Sequence, residues 1–197
     1  PDIEPEKPKE EVVDLTPRAY HRTPEMHLRE GSLVTDWGRH NIGYLKDITP
    51  YGATFQPLDL KGYQKEKALQ YVLLRDAYER LYRYESNLHE ANVQWREHLN
   101  TCYDEFVMRY GNLNAKQNVK LVMMDAGGRD ILSLERVKNG KFVKADIFER
   151  PVSFAVESHA NVGSPEEALS ASLNKFGTVD LDYMREITDS TAEELLT

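Results

Sequence analysis

Apolar residues recur at helical spacing over a long stretch in the middle of the chain, and this pattern predicts its largest structural element. After Gly62, the sequence contains neither proline nor glycine up to residue 110. An apolar side chain returns every seven positions, at Leu74, Leu81, Leu88, Trp95 and Cys102. Glu85 and Asn92 interrupt the neighbouring apolar positions. We therefore favour two antiparallel helices, residues 62–86 and 92–110, over the alternative of one continuous helix.

The chain before this helical stretch alternates short apolar runs with turns that contain glycine or proline, which is typical of β-strands. Three strands are predicted, at residues 32–37, 41–46 and 53–60. Pro57 places the third strand at a sheet edge, because proline donates no ladder hydrogen bond. Residues 1–25 are rich in Pro, Glu and Lys. We interpret them as a flexible arm or linker, since so few apolar side chains cannot offset the entropy of ordering.

The chain after the helical stretch begins with Gly111, which predicts the end of the second helix. Residues 112–118 are interpreted as a turn or a single helical turn, and residues 119–124 as a strand or apolar extension. A β-hairpin is predicted over residues 130–149. Its turn is formed by Asn139 and Gly140, the strongest short-range hairpin signal.

The hairpin turn also predicts the register of the two strands. Lys138 pairs with Lys141, and Glu135 with Lys144. Continuing the same register gives the apolar pairs Leu134–Ala145 and Leu132–Ile147. One register thus yields an apolar patch on one face and an opposite-charge pair on the other, and this agreement favours it.

The sequence pattern of the last part of the chain predicts three short helices. Ser164-Pro-Glu-Glu and Ser190-Thr-Ala-Glu are helix-start signals, in which a serine side chain caps the helix. Residues 157–197 are therefore predicted to form a small trihelical, helix-turn-helix-like appendage whose third helix is truncated. The whole chain is predicted to be α+β, with a long helical hairpin packed on small antiparallel β elements over residues 26–156.

Composition and net charge limit the classes of protein to which the chain can belong. The chain has 197 residues, a net charge of −8 and one cysteine. The acidic balance argues against a strong stand-alone DNA-binding domain, although a local basic strip remains open. No apolar run approaches the ~20 residues that cross a bilayer. The single cysteine excludes an internal disulfide and fits a cytoplasmic location. We expect the chain to be a piece of a longer polypeptide.

Candidate chemistry is sparse along the sequence. No phosphate-binding loop is present, and the six histidines are too scattered to predict a metal site. The most enzyme-like group is Asp125, Glu135 and Lys138, which resembles the acids and lysine of a metal-dependent nuclease. Their spacing puts Glu135 and Lys138 on opposite faces of one strand, so we keep this group only as an alternative.

The hairpin carries the strongest local concentration of positive charge: Arg136, Lys138, Lys141 and Lys144. These side chains are the candidate nucleic-acid-binding residues. A second interpretation is a solvated hairpin whose lysines protect the strand edges. The abundance of acidic residues elsewhere favours the second interpretation, and both stay open.

The chain contains the short motifs LRDAY (residues 74–78), YDEFV (103–107), YGNLN (110–114), LE (134–135), KADIF (144–148), ALSASL (168–173) and VDLDY (179–183). These motifs resemble a non-catalytic segment of very large DNA adenine-N6 methylase–helicase fusion proteins of phages and conjugative elements, some of which are antirestriction factors. The resemblance implies that the segment lies between a methyltransferase and an SNF2-type helicase. It also implies that S-adenosylmethionine, ATP and Mg²⁺ bind to those flanking domains.

From the residues and the resemblance together, we expect a non-catalytic structural and interaction segment. Its expected partners are the flanking methyltransferase and helicase domains, together with DNA contacted through the hairpin, and no membrane. We expect these residues to hold no cofactor or metal of their own. The alternatives are the nuclease-like site at Asp125, Glu135 and Lys138, or a module that only docks other proteins.

Overall fold

The computed structural model describes residue 5 and residues 10–155. The chain divides into two compact units: Pro1–Glu79 with His98–Ala145, and Arg80–Glu97 with Asp146–Thr197. Helices and small antiparallel sheets make the fold α+β, as the sequence predicts. The predicted trihelical appendage at residues 157–197 lies outside the described residues.

The first unit contains a four-stranded antiparallel sheet. The strands are β1 (Arg18–Ala19), β2 (Leu33–Asp36), β3 (Asn41–Thr49) and β4 (Gly52–Pro57). Their order in the sheet is β1-β4-β3-β2. The three predicted strands are confirmed. Strand β1 was not predicted, because it lies within the segment that we interpreted as an arm.

The prediction that β4 is an edge strand was wrong, because β1 pairs with Thr54 and Phe55 on its other side. Pro57 is nevertheless compatible with this inner position. The amide of Leu58 donates to Ile42 of β3, so the alternation along a strand turns the nitrogen of Pro57 away from β3. Strand β1 ends before it reaches Pro57, and the missing N–H therefore breaks no ladder hydrogen bond.

A small apolar cluster fills one face of this sheet. It consists of buried Tyr20, Val34, Leu45 and Phe55. Tyr20 follows β1 directly, so an apolar side chain from the predicted arm is part of the core. Gly43 makes room for the cluster, since a Cβ atom there would lie 2.8 Å from the Phe55 ring and 2.4 Å from the carbonyl oxygen of Gln56.

The central stretch forms two helices, α1 (Gly62–Leu88) and α2 (Val93–Tyr110), which confirms the two-helix prediction. In the first unit the Tyr63 and Tyr110 ring centroids are 5.3 Å apart, so the start of α1 lies beside the end of α2. The seven-residue apolar pattern does not continue through the connection. Leu81 is fully buried, whereas Leu88 is 55% and Trp95 40% exposed.

The connection between the helices, in the second unit, depends on the polar residues that interrupt the apolar pattern. Asn92 caps α2, because its Oδ1 accepts a hydrogen bond from the Trp95 amide at 3.0 Å. The buried carboxylate of Glu85 accepts a bond from the Asn92 amide at 2.9 Å and pairs with Arg96. Arg96 Nε also donates to the Ile147 carbonyl at 2.8 Å. These bonds hold the chain reversal in place.

Two short helices follow in the first unit, α3 (Lys116–Met124) and α4 (Gly128–Leu132). Of the two interpretations of residues 119–124, a strand or an apolar extension, the strand was therefore wrong, because a short apolar run does not distinguish a strand from a buried helix. The two helices pack closely at Gly128, where a Cβ atom would lie 1.8 Å from the Val122 carbonyl oxygen.

The predicted hairpin is confirmed, in a shorter form. Its strands are β5 (Glu135–Lys138) and β6 (Lys141–Lys144), and their register pairs Lys138 with Lys141 and Glu135 with Lys144. The amide of Ala145 adds a bond to the Leu134 carbonyl at 2.9 Å. Residues 130–132 belong to α4, and Asp146–Phe148 form a 3-10 turn. The pair Leu132–Ile147 therefore lies outside the ladder.

Candidate nucleic-acid interface

The hairpin β5–β6 is built around its two-residue turn. Asn139 and Gly140 both have positive φ angles, 54° and 73°. A type I′ turn requires positive φ at both central positions and matches the twist of the flanking strands, which is why Asn-Gly is favoured there. The turn therefore determines which side chains share a face of the hairpin.

The register places Arg136, Lys138 and Lys141 on one face, because directly paired residues and alternate residues lie on the same side. All three side chains are exposed. Lys138 and Lys141 are opposite each other, and neither makes an ion pair within the part of the chain that the structure describes. Two like charges in this position repel each other. The hairpin end is thus a concentrated positive face.

The fourth predicted basic residue lies on the other face. Lys144 Nζ is 2.8 Å from Asp104 Oδ1 and donates to Asn100 Oδ1 at the same distance. Next to Lys144 on this face are Val137, which is 70% exposed, and Phe142, which is 39% exposed. The structure therefore brings three of the four predicted residues together and directs Lys144 towards α2.

Glu135, at the base of the hairpin, is buried and fully engaged by neutral donors. Its carboxylate accepts bonds from Tyr103 Oη at 2.7 Å and Asn112 Nδ2 at 2.8 Å. It also accepts bonds from the amide of Asn114 at 2.8 Å and from its Nδ2 at 3.0 Å. Burial acts to raise the pKa of Glu135, but these bonds outweigh it and hold the pKa below its ordinary value. Glu135 is opposite Lys144 in the strand register, as predicted. Its carboxylate, however, accepts hydrogen bonds from the neutral groups named above and not from Lys144.

The asparagines of residues 112–118 were not predicted to have a role, but their side chains form the hydrogen bonds that connect the end of α2 to the base of the hairpin. Asn112 and Asn114 bind Glu135. Asn118 is fully buried, and its Nδ2 donates to the carbonyls of Tyr110 and Asn112, both at 2.8 Å. It thereby satisfies carbonyl groups at and beyond the end of α2. The only sequence signal was the unusual density of asparagine.

Asp125 is buried in a different network. Its Oδ2 accepts a bond from Tyr71 Oη at 2.6 Å, and its Oδ1 accepts bonds from the Leu33 amide at 2.8 Å and Arg75 at 3.0 Å. Arg75 also contacts Asp76 at 3.0 Å. This arrangement joins α1, β2 and the end of α3 through one buried charge pair.

The nuclease-like alternative needs Asp125, Glu135 and Lys138 to act on one metal ion and its substrate. In the structure the two carboxylates accept bonds from separate sets of donors, and Lys138 is exposed on the hairpin. Among the described residues, no three His, Cys, Asp or Glu side chains group as metal ligands would. The alternative remains a prediction that a cleavage assay tests.

Residues 161–197 match the family described as "Probable helicase, winged helix domain". This match covers less than half of the chain and falls on the predicted helix-turn-helix-like appendage. No curated protein and no solved structure matches the chain. Within the described part of the chain, no helix has both the length and the apolar character needed to cross a membrane.

Proposed function

We propose that this chain is a non-catalytic, helicase-associated interaction module that contacts DNA through the positive face of hairpin β5–β6. The similarity of residues 161–197 to a helicase winged-helix domain supports the association with a helicase. The paired, exposed Lys138 and Lys141 carry the proposed DNA contact. A phosphate between them would relieve their mutual repulsion, and Arg136 on the same face extends the contact along the backbone.

The exposed apolar side chains on the opposite face suit the same role. Val137 and Phe142 are directly paired at the middle of the hairpin and remain exposed. Their position permits contact with sugars or unstacked bases when phosphates lie along the basic face. Contacts of this kind carry little base information, so we expect binding with weak sequence preference.

The test is a fluorescence-anisotropy titration of single-stranded and duplex DNA at low salt. Replacing Arg136, Lys138 and Lys141 together with Gln should weaken binding and reduce the salt slope by about one for each lost phosphate contact. A matched control replaces the exposed Lys46, Lys61 and Lys116 with Gln, which makes the same change in net charge. Equal binding by the two variants would assign any DNA affinity to another part of the chain. No binding at tens of micromolar would remove the DNA role altogether.

We further propose that the parent protein is a DNA methylase–helicase fusion of a mobile element, with this chain positioning the two catalytic domains. The support is the motif resemblance together with the helicase-related match. Under this proposal S-adenosylmethionine, ATP and Mg²⁺ bind only to the flanking domains. The reading frame on either side of the segment tests it directly, and co-purification with those flanking domains tests the positioning role.

The absence of catalysis is tested separately. The chain is incubated with plasmid DNA and Mg²⁺ or Mn²⁺, and no cleavage is expected. Lys138 is exposed, so Lys138→Met removes the ammonium of the alternative site without disturbing the core. Cleavage that this variant loses would replace our proposal with the nuclease alternative.

A further inference from the structure

A cavity of about 460 Å³ opens in the first unit beside the first two turns of α1 and along the length of α3. Apolar side chains of Leu60, Leu121 and Met124 form part of its wall. The rest is lined by two lysines and two glutamines: Gln64, Lys67, Gln117 and Lys120. No carboxylate is among the described residues that line it. The volume is within the range of small-molecule sites, and the lining combines an apolar wall with donors.

Lys67 is the unusual member of this lining. The residue is only 3% exposed. Nζ donates to the Gln117 carbonyl and to Asn118 Oδ1, both at 3.2 Å, and lies 5.8 Å from the centroid of the Tyr63 ring. All of these partners are neutral. An ammonium has three donors, and a buried charge without a counter-charge is costly.

Lys65, two residues earlier on the same helix, provides an internal comparison. It is also buried, at 8% exposure, but it forms an ion pair with the carboxylate of Glu11. Within the described residues no carboxylate does the same for Lys67. Burial accordingly lowers the pKa of Lys67 from its ordinary value. Among the described residues, one buried ammonium thus has a carboxylate partner, whereas Lys67, at the wall of the cavity, has none.

We propose that this cavity binds a phosphate monoester that carries an apolar or aromatic group. The phosphate is the counter-charge for Lys67, and the exposed ammonium of Lys120 adds a second positive charge at the same wall. Leu60, Leu121 and Met124 cover the organic part. Nucleoside monophosphates and the 5′-phosphorylated end of a DNA strand share this chemistry. The proposal uses no residue of the hairpin and does not depend on the DNA contact proposed above.

The experiment measures binding to the full chain by calorimetry and thermal shift at constant ionic strength. The probes are inorganic phosphate, thymidine, thymidine 5′-monophosphate, and short DNA strands with and without a 5′-phosphate. We expect the monophosphate or the phosphorylated strand to bind at least about tenfold more tightly than phosphate or thymidine alone. Preference for the strand would identify a DNA end as the ligand, and preference for the nucleotide a free metabolite.

Two variants assign the binding to the cavity. Lys67→Met should weaken it at least about tenfold, because the phosphate loses its buried partner, while the melting temperature of the ligand-free chain is unchanged or higher. Lys120→Gln should weaken it less and alters only an exposed side chain. The control Lys116→Gln, outside the cavity lining, should bind as the unaltered chain does.

Three results would overturn the proposal. The first is no binding of the monophosphate or the phosphorylated strand at 10 mM. The second is affinity for inorganic phosphate equal to that for the organic phosphates. The third is binding that Lys67→Met and Lys120→Gln both leave unchanged. Loss of DNA binding in the hairpin variant with nucleotide binding intact would separate the two proposals.

Discussion

The buried carboxylates of Asp125 and Glu135 lie in the same unit but are stabilised in different ways. Asp125 faces a positive charge, since Arg75 donates to it at 3.0 Å alongside Tyr71 and the Leu33 amide. Glu135 accepts its hydrogen bonds from uncharged groups of Tyr103, Asn112 and Asn114. Both residues belong to the nuclease-like alternative of the sequence analysis. Their surroundings give them two structural roles with different energetic consequences.

The difference concerns what remains when each carboxylate is removed. Loss of Asp125 leaves the buried guanidinium of Arg75 with Asp76 as its remaining acidic neighbour among the described residues, so its positive charge is less well compensated. Loss of the Glu135 charge leaves polar donors without a good acceptor, which is a problem of hydrogen bonding. A tyrosine is bound to each carboxylate, and in both cases burial is the main cause that raises the tyrosine pKa, with the neighbouring carboxylate adding to it.

The largest effect is expected from Asp125→Ala. Because it breaks a buried ion pair, we expect the free energy of unfolding to fall by about 3–5 kcal/mol. Urea denaturation measures this loss. The control is Asp104→Ala, whose exposed carboxylate pairs with Lys144 and should cost no more than about 1 kcal/mol. Equal losses in the two variants would mean that the buried ion pair with Arg75 stabilises the protein no more than the exposed pair with Lys144 does.

Glu135→Gln should destabilise the protein less than Asp125→Ala. The substitution keeps the shape but replaces one acceptor oxygen by an NH2 group that faces donors. Hydrogen bonds to a charged acceptor contribute more than neutral ones, so we expect a loss of about 1.5–3 kcal/mol. The same denaturation experiment measures it. A loss larger than that of Asp125→Ala would reverse the comparison.

The pH dependence of the free energy of unfolding should reveal the contribution of the Glu135 charge. Its folded-state pKa lies below its ordinary value, so the unfolded chain takes up the proton first as the pH falls. The stabilisation by this group is fully present above its unfolded pKa of about 4.3 and disappears as the pH falls through the folded pKa. The stability difference between the unaltered chain and Glu135→Gln should therefore shrink from pH 7 to pH 3. A difference that is constant with pH would contradict this assignment.

The smallest effect is expected from removing single hydroxyl groups. Tyr71→Phe and Tyr103→Phe each delete one hydrogen bond to a carboxylate. We expect each to cost about 1–2 kcal/mol. The two losses can be compared with double variants that combine each with its carboxylate substitution. Fully additive losses would show that the tyrosines and carboxylates do not interact.

The hairpin and the paired helices were predictable because their signals are local. Asn139-Gly140 determines a turn, and a turn determines the register of the strands beside it. Glu85 and Asn92 indicated the helix connection because they broke an apolar pattern, and the structure shows that they also hold it together. In both regions the relevant interactions join residues that are close in sequence.

The wrong predictions concern residues whose partners are distant in sequence. The apolar run at residues 119–124 is compatible with a strand and with a buried helix, and only its packing makes it part of α3. Strand β1 has almost no pattern of its own and forms because β4 offers it a pairing edge. The Asn112 and Asn114 side chains acquire their role only where Glu135 comes close to them.

The sequence alone determined the α+β class, the boundaries of the two long helices α1 and α2 to within two residues, and the hairpin with its basic residues. These features follow from backbone preferences and short-range periodicity, which act over a few positions. Only the tertiary structure decided which charges are compensated. It paired Asp125 with Arg75, surrounded Glu135 with neutral donors, and placed Lys67 at a cavity whose described lining residues include no carboxylate. Burial and the distance between charges control those energies, and both depend on contacts between segments far apart in the chain.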